Sequence, residues 1–190
     1  MTDLTDAELN MEFMEEFYSR NIANTLLEGI SNYEFKNINI QINTNQYTPR
    51  RNVLGFGDEG ISYEFSATRL GAEPWSQSLL NIKEDVETVT GIKYNFVLLN
   101  YCPDGLAKIS MHKYYEACLE SECDIPTISL GAKRRMIFSG LTFTSRTLDL
   151  NHGSLIMTKP PTNQLWMHGI PSQTDVKDPK IRLHIYHFAA

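Results

Sequence analysis

Three stretches of this chain carry side chains suited to chemistry. His112-Lys113-Tyr114 sets an imidazole beside a phenol. Trp166-Met167-His168-Gly169-Ile170-Pro171 brings a second imidazole. Asp178-Pro179-Lys180-Ile181-Arg182-Leu183-His184-Ile185-Tyr186 places a lysine and an arginine two residues apart, on one face of an extended segment. Neutral imidazole is the commonest protein ligand for metals, and guanidinium pairs in a fork with carboxylate or phosphate. Arg50-Arg51 and Lys133-Arg134-Arg135 are the compact basic runs, suited either to phosphate contacts or to a solvated strand edge. Tyr114 and Tyr115 have rings able to stack on a base or, the favoured reading, to plug an empty metal pocket beside the imidazoles. The acidic run Glu120-Ser121-Glu122-Cys123-Asp124 would repel a phosphate backbone. Cys102 has no neighbour in sequence that would lower its pKa, which argues against a nucleophile. Cys102, Cys118 and Cys123 form no CxxC pair and read as reduced thiols inside a cell.

The elements that must position these residues follow from periodicity. Residues 1–35 are helical in pattern, with Leu9, Phe13, Phe17, Ile22, Leu26 and Ile30 on one face and acids on the other. Ile38 to Ile42 alternates strictly, and the polar turn after it predicts a hairpin over Ile38–Arg50. Ile42 either packs inward with Ile38 and Ile40 or projects as an apolar wedge for a base stack. Pro74 opens a helix whose Trp75, Leu79, Ile82, Val86 and Val89 share a face. Tyr94–Tyr101 is a buried strand, Pro103-Asp104-Gly105 a turn, and a second strand ends at His112. Strands are further predicted at Ile125–Leu130, Phe138–Thr147, Leu150–Met157 and Ile181–Phe188. With 190 residues the chain suits one domain: an N-terminal helical extension over 1–35, a hairpin and support helix over 36–93, and a core over 94–190. The 17 basic against 23 acidic residues, a net charge of −6, argue against a broad nucleic-acid-binding face. The acidic N-terminus is no secretory leader, and no apolar run is long enough to cross a membrane.

Taken together, the strand before Pro103, the segment Ile128-Ser129-Leu130-Gly131-Ala132, the run PRRNVLGFGDEGISYEFS and the run from Leu150 to Pro171 resemble the AlkB family of Fe(II)/2-oxoglutarate dioxygenases. The similarity is greatest to its eukaryotic duplex-DNA dealkylation repair branch. The resemblance implies an α+β, mainly β fold: a double-stranded β-helix, or jelly roll, with N-terminal helices packed on the outer sheet. It makes His112 and His168 the iron-binding imidazoles and puts Tyr114 in the place of the aspartate ligand, where a phenol is a poor substitute. Glu116, as a rescue ligand, would need the strand to continue; its family counterpart faces the substrate base. For 2-oxoglutarate the resemblance assigns Asn100 and Lys180, with Cys102 and Tyr186 replacing a tyrosine and an arginine and Arg182 falling where asparagine is usual. Arg50, Arg51, Arg134, Glu116 and Ile42 fall at nucleic-acid-facing positions.

With the framework kept and these ligands changed, the expectation is a catalytically inactive AlkB-like protein that serves as a binding or assembly subunit. It would take no cofactor, work inside the cell in cytoplasm or nucleus, and contact another protein rather than a membrane. The alternatives are a nucleic-acid-binding pseudoenzyme, in which Arg50, Arg51 and Arg134 touch phosphates, and an active DNA or RNA dealkylase with altered Fe(II) and 2-oxoglutarate ligands. His112 and His168 would then be either vestigial, held by hydrogen bonds, or working ligands.

Overall fold

The computed structural model describes residues 1–3, 9–42, 45–65, 68–113, 123–140 and 144–188, with side chains left out at 40–42, 45–47, 65 and 68. Its strands are β1 (Thr2–Asp3), β2 (Met11–Met14), β3 (Ile40–Ile42), β4 (Asn45–Tyr47), β5 (Asn52–Gly57), β6 (Ser62–Phe65), β7 (Thr68–Gly71) and β8 (Glu73–Pro74). They continue with β9 (Phe96–Cys102), β10 (Ile109–His112), β11 (Ile125–Gly131), β12 (Arg134–Ser139), β13 (Ser145–Leu150), β14 (Ser154–Thr158), β15 (Met167–Ile170) and β16 (Lys180–Tyr186). The helices are α1 (Arg20–Ser31), α2 (Gln77–Thr90) and the single turn α3 (Thr162–Leu165).

Eight strands in the order β1-β2-β14-β11-β16-β9-β5-β8 make one sheet, and β10-β15-β12-β13 make a second. This is the expected jelly roll, mainly β. Side chains alternate across the large sheet. On its outer face Leu54, Phe56, Val97, Leu99, Ile128, Leu130, Ile181, Leu183 and Ile185 meet Ala23 and Ile30 of α1 and Leu79, Ile82 and Val86 of α2. Each such side chain, fully buried, contributes roughly 1.5–3 kcal/mol, so this layer anchors both helices. The inner face holds Phe96, Leu98, Tyr186 and Phe188 at one end. The small sheet adds Met136, Phe138, Leu150 and Ile170 to a separate apolar cluster.

Among the described residues, the helical pattern expected over 1–35 holds only at α1. Met11–Met14 is a strand instead, pairing Leu155↔Met14 through Thr158↔Met11. The edge of β14 offers unpaired backbone groups, and satisfying them outweighs a weak helical propensity. Ile22, expected on the buried face of that helix, is 51% exposed, and Ala23 takes its place. Helix α2 starts at Gln77, capped by Ser76 Oγ accepting from the Leu79 amide, while Pro74 ends a short parallel pairing with β5. The strand predicted over Phe138–Thr147 divides into β12 and β13. The one predicted over Leu150–Met157 begins only after Gly153, whose φ of 81° breaks it. The hairpin forms as β3 and β4, Ile40↔Tyr47 through Ile42↔Asn45.

Of the basic run 133–135, Lys133 and Arg135 are exposed and Arg134 is 1% exposed. Arg134 shares parity with Met136 and Phe138, both buried, so strand alternation turns it inward and removes it from any nucleic-acid face. Its guanidinium donates to the carbonyls of Asp104 (3.0 Å), Gly105 (3.3 Å), Ala107 (2.7 Å) and Pro171 (2.8 Å) and to Gln173 Oε1 (3.3 Å). It thereby joins the turn after β9 to the loop after β15. Gly105 is needed here, because any Cβ on it would overlap the Gln173 carbonyl oxygen. Losing such a cation orphans several buried carbonyls, each worth about 1–3 kcal/mol. Arg134→Met is therefore expected to lower unfolding free energy by roughly 3 kcal/mol or more in urea titrations. Arg135→Met, with its exposed side chain, is expected to change it by less than about 0.5 kcal/mol.

Candidate functional site

Strand β16 lies between β9 and β11, and its register sets the interior. Lys180, Arg182, His184 and Tyr186 share one parity, opposite to the apolar Ile181, Leu183 and Ile185 that face the helices. Arg182 is paired with Asn100 on one side and Ser129 on the other. Beyond these lie Val53 and Ser154. A polar row, Asn100–Arg182–Ser129–Ser154, thus crosses the inner face of the large sheet, each residue 2% exposed or less.

Opposite this row, β10 and β15 pair His112 with His168. Their rings stand 4.4 Å apart at 53°. Gly169 permits the approach, since a Cβ there would lie 2.8 Å from both the Ile109 carbonyl and Met111 Sδ. His112 Nδ1 is 2.9 Å from the Ser110 carbonyl. A carbonyl only accepts, so Nδ1 carries the proton and Nε2 keeps its lone pair. Loss of solvent pulls His112 below the usual imidazole pKa, with the charges of Arg51 and Arg182 adding to it. Burial pulls His168 well below it, helped by His112 and Arg182. Both rings are neutral near pH 7, the form that binds metal. His184, hydrogen-bonded to Thr127 Oγ1 at 3.1 Å, is depressed by burial too, with Arg182, the other two histidines and Arg51 contributing. Arg182, His168 and His184 thus share the buried interior chamber, with the exposed His112 paired to His168 and Arg51 reaching Asn100.

Arg51 belongs to this chamber and not to a nucleic-acid face: it donates to Asn100 Oδ1 at 2.6 Å, and burial lowers its pKa. Asn100 therefore sits in the site, as expected. Lys180 Nζ is committed elsewhere, donating to the carbonyls of Ala132 (3.0 Å) and Leu150 (2.7 Å). Cys102 is buried opposite Lys180. Tyr186 lies in an aromatic stack with Tyr63, Phe96 and Phe188. Arg50 stays at the surface, paired with Asp104 at 2.9 Å. Tyr114 and Glu116 lie outside the described residues, as does the side chain of Ile42. Among the described residues no three His, Cys, Asp or Glu gather into a metal site. Sequence reasoning passed over Ser129 and His184 and gave Arg182 no role in the pocket; alternation along β11 and β16 was the signal for all three. Arg51 gave no such signal, because it precedes β5.

A jelly roll with two imidazoles on the small sheet over a cationic row on the large one is an oxygenase architecture. The chain belongs to the 2OG-Fe(II) oxygenase superfamily, whose model matches residues 10–184, and within it to the AlkB family. It is 36% identical over 144 residues to the DNA oxidative demethylase ALKBH2 of Homo sapiens and 35% to that of Mus musculus, covering 71% of this chain. It is 25% identical over 148 residues to the alpha-ketoglutarate-dependent dioxygenase alkB homolog 3 of Bos taurus, covering 72% of this chain. The chain spans 55% of the human and 60% of the mouse ALKBH2 protein. The solved structure of OsALKBH1 superposes with a TM-score of 0.64 at 11% identity, covering 96% of this chain and all of that one, which supports the fold. No helix is long and apolar enough to cross a membrane among the described residues.

The expectation of no cofactor is overturned. The family model and the ALKBH2 relatives make Fe(II) and 2-oxoglutarate the cofactors to expect. The residues described fit both: the His112 and His168 imidazoles pair across β10 and β15, and Ser129 Oγ, buried and without a hydrogen-bond partner, lies next to Arg182.

The depressed imidazoles also predict a pH dependence. A histidine whose folded pKa lies below its unfolded value near 6.5 binds its proton first in the unfolded chain, so stability is lost as pH falls through that range. Metal-free protein is expected to lose stability between pH 7 and 5 by up to about 1.4 kcal/mol per pH unit for each of the two buried histidines, His168 and His184. His184→Gln should flatten that slope in urea unfolding across the range. An unchanged slope would place His184 outside the effect.

Proposed function

We propose that this chain is a nucleic-acid-directed oxygenase of the AlkB type, working in nucleus or cytoplasm. The observation that carries the proposal is the neutral His112–His168 pair set across the chamber from Arg182 and Arg51. His112 and His168 would hold Fe(II), and the arginine-lined row would receive a carboxylate of 2-oxoglutarate. With dioxygen as the oxidant, bound iron and 2-oxoglutarate would supply the chemistry for hydroxylating an alkyl group on a base, 2-oxoglutarate being oxidised to succinate and carbon dioxide. The chain's own residues orient that chemistry. The Ser110 carbonyl fixes the His112 tautomer, and Asn100 is held in place by Arg51. Burial holds the His168 imidazole well below its usual pKa, and desolvation lowers that of His112, whose side chain is exposed at the end of β10. The 35–36% identity to proteins named as DNA oxidative demethylases supports an alkylated base as substrate.

One observation favours a second reading, a non-turning-over binding or assembly subunit: Tyr114 stands where the resembled motif has its carboxylate. Fe(II), ascorbate, 2-oxoglutarate and an oligonucleotide carrying an N-methylated base separate the two. The oxygenase reading predicts succinate release that depends on the methylated oligonucleotide and is lost in His168→Ala. Bound 2-oxoglutarate with no succinate would contradict it and support the binding subunit. Such a subunit would be expected to hold a stable protein partner and to bind DNA no tighter than about 10⁻⁴–10⁻⁶ M at physiological salt.

A further inference from the structure

In the resembled pattern, β16 carries arginines at the positions of Lys180 and Tyr186, six residues apart, or about 20 Å along an extended strand. Neither end of this strand is equipped for that task here. The Lys180 ammonium has three donors, and two bind the carbonyls of Ala132 and Leu150, the residue being 2% exposed. The Tyr186 ring sits in an aromatic cluster at centroid distances of 5.6 Å from both Tyr63 and Phe188 and 6.4 Å from Phe96. A carboxylate there would be stripped of water among aromatic rings, and the guanidinium near it, Arg51, is held by Asn100.

The middle of the strand is different. Arg182 brings a guanidinium into the chamber, flanked by Asn100 and by Ser129. Ser129 Oγ is an orphaned buried hydroxyl able to donate. Arg51 joins from the segment before β5 through its 2.6 Å bond to Asn100. Arg182 and His168 are both buried, at 2% and 3% exposure, on the inward faces of the two sheets, which puts the cluster on the imidazole side of the large sheet.

We infer that this chain binds the carboxylate of its cosubstrate at Arg182, Arg51 and Ser129, mid-strand and beside the two imidazoles, an inference resting on the function proposed above. The anchor has moved inward by two residues from Lys180 and four from Tyr186. The arginine at position 182 is a specificity-determining residue where the resembled pattern has asparagine. It supplies the planar fork that Lys180 lacks.

The test is calorimetric titration of the Mn(II)-loaded full chain with 2-oxoglutarate, which needs no turnover. Arg182→Asn, which restores the residue usual at that position, should weaken binding at least tenfold. Arg182→Lys, keeping the charge without the fork, should weaken it severalfold and carries the test should the asparagine variant fail to fold in a thermal melt. Ser129→Ala should weaken binding by a smaller factor, and Tyr186→Phe should leave it unchanged. Wild-type binding with Arg182→Lys and Arg182→Asn both unaffected would overturn the mid-strand anchor while leaving the oxygenase reading intact. So would loss of binding in Tyr186→Phe. A wild-type protein that takes up Mn(II) but no 2-oxoglutarate would overturn the oxygenase reading itself, and the anchor with it.

Discussion

The register of β16 between β9 and β11 is the constraint on which the rest of the molecule depends. It sends Ile181, Leu183 and Ile185 out to the helices and Lys180, Arg182, His184 and Tyr186 into the barrel. Because the side-chain period is two, a slip by one residue would bury the charges under α1 and α2 and leave isoleucine facing the imidazoles. The helix-side apolar layer is therefore also what aims the chemistry. Burial of those residues selects the register, and the register delivers Arg182 to its place between Asn100 and Ser129.

The interior that results is cationic within a chain of net charge −6. Arg134, Lys180 and Arg182 are each 2% exposed or less, and a charge so far from water must be satisfied locally. Arg134 and Lys180 meet that need with backbone carbonyls, which fixes them as structural braces. Burial holds the Lys180 ammonium well below its usual pKa, with Arg182 and Arg134 adding repulsion and Cys102 opposing it. Arg182 lies in register between Asn100 and Ser129, and Arg51 donates to Asn100 Oδ1. An anion entering this chamber would lower the electrostatic cost of that arrangement, so ligand binding and stability should be linked.

Much of the architecture was legible because strand patterns are local. The continuous apolar run before Pro103 became β9, and the alternating end of the chain became β16. The imidazoles at 112 and 168 could be named from their motifs, and the structure does bring them together. What escaped was decided by distant backbone. Met11–Met14 carries helical spacing, yet the free edge of β14 makes it a strand. Lys133-Arg134-Arg135 looks like a surface patch in composition, whereas alternation within β12 sends only its middle residue inside. Arg51 gave no warning, since its inward course depends on how the segment before β5 meets Asn100. The absence of the expected aspartate at Tyr114 weighed so heavily at the level of sequence that a cofactor-free protein was expected. The family match and the geometry of the remaining imidazoles reverse that expectation.

The central claim is that His112 and His168 are a working pair of metal ligands and not two packed core residues. Cobalt(II) reports on this directly, because its visible absorption changes when imidazole nitrogens replace water. Titration of the metal-free protein with cobalt should give a saturable one-to-one spectrum in wild type, strongly reduced in His112→Ala and in His168→Ala, and retained in His184→Gln. A cobalt spectrum identical in wild type and both alanine variants, or none in any of them, would contradict the account.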